Sequence, residues 1–133
     1  MAIRNVIIKL QAHAKTAGAK EAPTDPDETA FQFPFTACYP GSASIEQGPG
    51  GGRKDIVNFE LSFHVNRVNL PIDIQQVESF YDAFPTLLVN DPTLGGTVNT
   101  IVFDEGIKME FGKMKWADTE TIGMKFTIPV KIE

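Results

Sequence analysis

From Asp55 to Arg67, and again from Ile122 to Ile132, apolar and polar residues alternate almost one for one. In the first stretch Val57, Phe59, Leu61, Phe63 and Val65 fall on one side. In the second, Ile122, Met124, Phe126, Ile128, Val130 and Ile132 do the same. A helix would scatter such residues around its axis, whereas a strand gathers them on one face. Two long strands, each apolar on one face only, need a cover for that face. Everything else in the chain is constrained by where that cover comes from.

Two segments can supply it. Residues 2–17 place Ile3, Ile7, Leu10, Ala14 and Ala17 at helical spacing with Val6 beside them, and Gly18 suits the C-terminal cap. Arg4, Gln11, Lys15 and His13 are expected on solvated faces. Residues 71–90 begin at Pro71 and carry a stripe of Ile74, Val77, Tyr81, Phe84 and Leu88, widened by Phe80 and Leu87. Pro85 is expected to divide this helix into a main body to Phe84 and a short continuation to Val89.

Further strands complete the order. Phe31, Phe33, Phe35, Ala37 and Tyr39 alternate over 31–39, with Cys38 on the face away from the aromatic residues and Pro34 marking an edge or a bulge. Val98–Phe103 and Ile107–Lys115 read as two more strands, with residues 116–120 as a turn. Pro129 places part of the last strand at an edge. Helix, two strands, helix, three strands describes a single α+β domain, an antiparallel or mixed sheet with two main helices packed on one face.

Two loops interrupt this plan. Residues 18–30 are acidic through Glu21, Asp25, Asp27 and Glu28. Their spacing is not that of a calcium loop, and a solvated acidic loop is expected. Residues 40–54 hold Gly48, Gly50, Gly51 and Gly52 and then Arg53 and Lys54. A phosphate-binding loop would need Ser or Thr after the lysine and then a helix. Here Asp55 and a strand follow. The expectation is a hairpin loop with a basic tip, available for contacts.

The chemistry of common active sites is missing from the sequence. It has no nucleophile elbow, no zinc-protease helix and no nucleotide-binding fingerprint. Two histidines and one cysteine leave little for a metal site. His64 beside Glu60 is a candidate pair on the polar face of its strand, with a hydrated or interface face as the simpler expectation. The formal net charge of −5 speaks against a general nucleic-acid binder. The single Cys38 excludes an intramolecular disulfide and fits a reducing compartment. The first ten residues lack the apolar core of a signal peptide, and no apolar run approaches a membrane span, so no membrane partner is expected. No enzyme activity and no cofactor are expected.

The helix 71–90 ends in Asp91-Pro92-Thr93-Leu94-Gly95-Gly96-Thr97. Asp91 can cap a turn, Pro92 suits the position after it, Leu94 is an apolar anchor, and Gly95 and Gly96 can take positive φ. An apolar helix with Phe84, Leu87 and Leu88, followed by Asp91, Pro92, Leu94, Gly95, Gly96 and Val98 and a β-rich tail, resembles the tail terminator (tail completion) proteins of long-tailed bacteriophages. The match covers the whole chain in element order and about positions 80–100 residue for residue. The loops 18–30 and 40–54 are inserts relative to smaller members.

What the resemblance implies is a homohexameric ring on the last ring of the tail tube. Its partners would be other copies of itself, the tail tube protein and the head-tail connector or stopper, with DNA passing through the lumen. It would belong to the virion, at the top of the tail, after assembly in the host cytoplasm. The alternatives are a neck, stopper or tail-tube protein of similar fold, or a small non-catalytic binding module.

Overall fold

A computed structural model describes residues 2–22, 34–47, 53–66, 70–96, 98, 100–103, 106–116 and 119–131. Two helices, α1 (Ala2–Ala17) and α2 (Leu70–Val89), accompany five strands: β1 (Phe35–Gln47), β2 (Arg53–Asn66), β3 (Thr100–Ile101), β4 (Lys108–Trp116) and β5 (Thr119–Lys131). All strand pairs are antiparallel. β1 pairs with β2 and β2 with β5. The other side of β5 is shared by β4 and β3. The α+β single-domain architecture expected from the alternating stretches is the one observed.

The register shows why. Val57, Phe59, Leu61, Phe63 and Val65 stand opposite Val130, Ile128, Phe126, Met124 and Ile122, so the two alternating runs merge into one apolar sheet face. Both helices cover it. Val6, Leu10 and Ala14 of α1 and Val77, Phe80, Phe84 and Leu88 of α2 join these strand residues in one buried core. Its centre is aromatic. Phe80 stacks on Phe63 with ring centroids 4.0 Å apart and on Phe84 at 5.0 Å, and Phe84 meets Phe126 at 5.2 Å. A fully buried aromatic ring contributes on the order of 3 kcal/mol through area alone, and more through ring contacts.

Several expectations need correction. α2 runs through Pro85 to Val89 undivided; Pro85 is missing only one helical donor, and buried neighbours Phe84 and Leu88 hold the turn in place. In α2 the buried stripe is Val77, Phe80, Phe84 and Leu88, while Ile74 and Tyr81 are exposed. In α1 the stripe is Val6, Leu10 and Ala14, with Ile3 exposed. Gln11 is buried rather than solvated. Its Nε2 donates to Thr36 O (3.1 Å), and Thr36 Oγ1 donates to its Oε1 (2.6 Å). This reciprocal pair pins α1 to β1.

β1 ends later than the 39 expected, because residues 40–47, read as loop, continue pairing with β2. Phe31 and Phe33 lie outside the described residues. β1 is an edge strand of the sheet, as Pro34 suggested, and its register shift falls at Pro40–Ser42. Cys38 stands opposite Leu61 and Phe35 opposite His64, so Cys38 lies on the face away from Phe35 as expected, and it is the Cys38 face that the helices cover. β3 holds only two residues of the strand expected over 98–103. β5 is central despite Pro129, which sits where β4 pairing has ended at Thr127 and β3 pairing has not begun at Val130.

Candidate functional site

The turn after α2 is tied to three parts of the domain. Asp91 Oδ1 accepts a hydrogen bond from Gly95 N (2.8 Å), and Asp91 O accepts one from Leu94 N (3.0 Å). Thr93 O receives Gly96 N and Val98 N, and Pro92 O receives Ile101 N at 2.7 Å, which aims the chain into β3. Gly95 and Gly96 have φ of 68° and 85°, as expected. Leu94 is left-handed as well, at φ 49°, and its side chain is fully buried. Left-handed backbone costs a non-glycine residue about 1–2 kcal/mol, and burial of the leucine offsets it. With three successive left-handed residues, the segment closes as an irregular turn and not as the single helical turn that Asp91 was expected to cap.

The first helix reaches this turn. His13 Nε2 lies 2.9 Å from Asp91 Oδ2. Lys9, one helical turn earlier, lies over Gly95, where a Cβ would come within 3.3 Å of its Nζ. The Gly95 amide, then the His13 contact, then the charges of His13 and Lys9 hold the Asp91 carboxyl below its ordinary range. His13 is therefore a structural partner, half-buried, and not the solvated residue its helical position suggested. No local signal predicts this pair; the two residues are 78 positions apart.

The contact segments divide. Glu21 makes a parallel bridge with Phe35, and its carbonyl accepts Thr36 N. It therefore belongs to the sheet margin and not to a free acidic loop. Asp25, Asp27, Glu28, Gly48, Gly50, Gly51 and Gly52 lie outside the described residues. Arg53 and Lys54 open β2, opposite Gln47 and Glu46, so they are strand positions and not a loop tip. The second half of β1 thus runs along the sheet edge, in part opposite β2 residues that pair with β5. From Gly41 to Ile45 every residue of β1 is exposed, Ile45 by 61 %.

On the face of the sheet away from the helices, a second buried cluster appears. His64 Nε2 contacts Ser62 Oγ and its Nδ1 contacts Thr121 Oγ1, both at 2.8 Å, while Phe35 stacks on the ring with centroids 4.8 Å apart. Ser62, His64 and Thr121 are all buried. Burial pushes the His64 pKa down to about 4, so the imidazole is neutral. Its expected neighbour Glu60 is engaged elsewhere, with Lys125 Nζ 2.6 Å from its Oε1. A serine–histidine contact suggests nucleophile activation. Here the ring is oriented by a neutral hydroxyl and lies under Phe35, which makes the cluster a satisfied internal strut. Cys38 is likewise inert, because burial pushes its thiol up to about 12.

Among the described residues, no group of three or more His, Cys, Asp or Glu side chains is placed to hold a metal ion, and no helix is long and apolar enough to cross a membrane. An apolar groove of about 300 Å³ lies between α2 and β4, lined by Ile74, Val77, Phe111 and Ile122. Compared with protein-family models and with curated proteins, the chain matches none.

Proposed function

We propose that this chain is a structural subunit of a ring that caps the tail tube of a long-tailed bacteriophage, ends its polymerisation and joins it to the head connector. The observation that carries the proposal is the turn Asp91–Gly96. The residues of the resemblance are also the residues that join α1, α2 and β3, through His13–Asp91, buried Leu94 and Pro92–Ile101. A segment that fixes the mutual position of three elements is a framework feature, and a sequence resemblance to tail terminators that runs through it supports an assembly role of the same kind.

The work of such a subunit is done by surfaces. The second half of β1, exposed from Gly41 to Ile45, supplies a contact element toward a neighbouring copy or the tube. The partners are other copies of the chain in a hexamer, the tail tube protein and the connector or stopper. DNA only passes through, which a subunit of net charge −5 permits without gripping phosphates. No catalysis is assigned, and the site of action is the virion neck after assembly in the host cytoplasm.

Light scattering after size exclusion, with negative-stain imaging in the presence of tail tubes, tests this. A closed ring that binds tube ends supports the terminator. A self-extending tube identifies a tube protein instead, and a chain that stays monomeric beside tail tubes overturns the proposal.

A further inference from the structure

The sheet ends on β4. Its inner edge pairs with β5 from Lys108–Thr127 to Trp116–Thr119, and no strand among the described residues pairs its outer edge. An open edge of this length is a template for another strand. The opposite edge, β1, is blunted. Residues 20–21 bond to its start, and Pro40 and the register shift beside it interrupt the rest.

We propose that the outer edge of β4 is a self-association surface, and that it pairs antiparallel with β4 of a second copy about a two-fold axis at Met109. Three observations on β4 lead there. Its alternation puts Met109 and Phe111 on the helix-side face, opposite Phe126 and Met124, and Lys108 and Glu110 on the other face. Phe111 is 59 % exposed and meets Tyr81, itself 45 % exposed, at a centroid distance of 5.9 Å beside the α2–β4 groove. This leaves an apolar patch on the helix side of the edge, larger than a lone surface residue would make.

The charge order then selects the occupant. Lys108 and Glu110 flank Met109, so an antiparallel copy centred on Met109 sets Lys108 opposite Glu110 of the second copy, and Glu110 opposite its Lys108. On the other face the same register brings Ile107 of each copy against Phe111 of the other. Alternative registers lose these pairs. Centred on Glu110 or Lys108, each would face its own like charge; centred on Phe111, Lys108 would face Met114 and Met109 would face Lys113. Opposite charges directly across a strand pair stabilise it and like charges destabilise it. The contact is isologous, so each favourable pair occurs twice. It stands independently of the tube-capping role.

Sedimentation equilibrium of the full chain over a wide concentration range tests the pairing. A concentration-dependent doubling of mass is expected, of monomer to dimer or, where the ring has closed, of one ring to two. Lys108→Glu and Glu110→Lys, each alone, set like charges opposite twice and weaken the dimer about tenfold or more. The double swap Lys108→Glu with Glu110→Lys restores it, a rescue that only a self-complementary register gives. Independently, Met109→Cys places two thiols at the axis, within disulfide reach, and mild oxidation should yield a covalent dimer while buried Cys38 stays free. A chain monomeric at all concentrations, single swaps without effect, a double swap no better than the singles, or failure of Met109→Cys to cross-link overturns the proposal.

Discussion

His13 of the first helix and Asp91 of the turn after the second lie in hydrogen-bond contact, Nε2 to Oδ2 at 2.9 Å. The same carboxylate accepts the Gly95 amide through Oδ1 at 2.8 Å. One side chain therefore closes a left-handed turn and also ties it to a helix 78 residues away. Asp91→Ala removes both bonds and should cost about 1–2 kcal/mol. Asp91→Asn keeps an acceptor for Gly95, and His13→Ala removes only a partly exposed pair, so each should cost under about 1 kcal/mol. Urea unfolding of the three variants checks the order. The Asp91 pKa is lowered in the fold, so the ionic part of its contribution is present above its ordinary value of 3.8. That part is lost as pH falls through the folded value.

The two glycines with different neighbours should behave differently. At Gly95, φ is 68°, and the nearest obstacle to a Cβ is the flexible end of Lys9. Gly95→Ala therefore pays mainly backbone strain, about 1–2 kcal/mol. Gly123 sits in the middle of β5, where a Cβ would come within 1.8 Å of Phe63 O on β2. Neither backbone can yield without opening the central ladder, so Gly123→Ala should cost at least about 3 kcal/mol. Thermal unfolding separates the two, and equal losses would mean the β2–β5 approach is not as close as described.

The buried imidazole gives a pH dependence of definite sign. His64 has its pKa lowered to about 4, against an ordinary value of 6.5. The unfolded chain binds this proton first as pH falls. Stability from His64 is complete above about pH 6.5 and declines until about pH 4, by on the order of 3 kcal/mol in all. His64→Gln, which cannot titrate, should be less stable at neutral pH but should flatten the slope in that window. Chemical denaturation across the window reads the difference.

Phe80 contacts Phe63, Phe84 and Phe126 together. Phe80→Ala should cost about 3–5 kcal/mol, since the surrounding rings belong to three different elements and cannot close over the cavity at once. Phe111→Ala, on the exposed edge, should change folding stability by about 0.5 kcal/mol or less.

The period-two runs Val57–Val65 and Ile122–Val130 carried the fold, because alternation over that length is compatible with only one geometry. On β1 the alternation separated Phe35 from Cys38 but did not say which of the two faces the helices would cover. The helices cover the Cys38 face, which no local pattern encodes. The same limit explains Gln11 and His13. A polar residue on a helix looks solvated until its partner, Thr36 or Asp91, arrives from elsewhere in the chain. In the turn, Gly95 and Gly96 announced their backbone state because glycine is suited to it. Leu94 did not, since a leucine takes a left-handed φ only at a cost, offset here by the burial of its side chain.

The capping role is tested most directly by mixing the purified chain with polymerising tail tube protein and measuring tube length by electron microscopy. Rings seated on tube ends are expected, with growth that stops once they bind. Tubes that lengthen unchanged, with no added density at their ends, would contradict it.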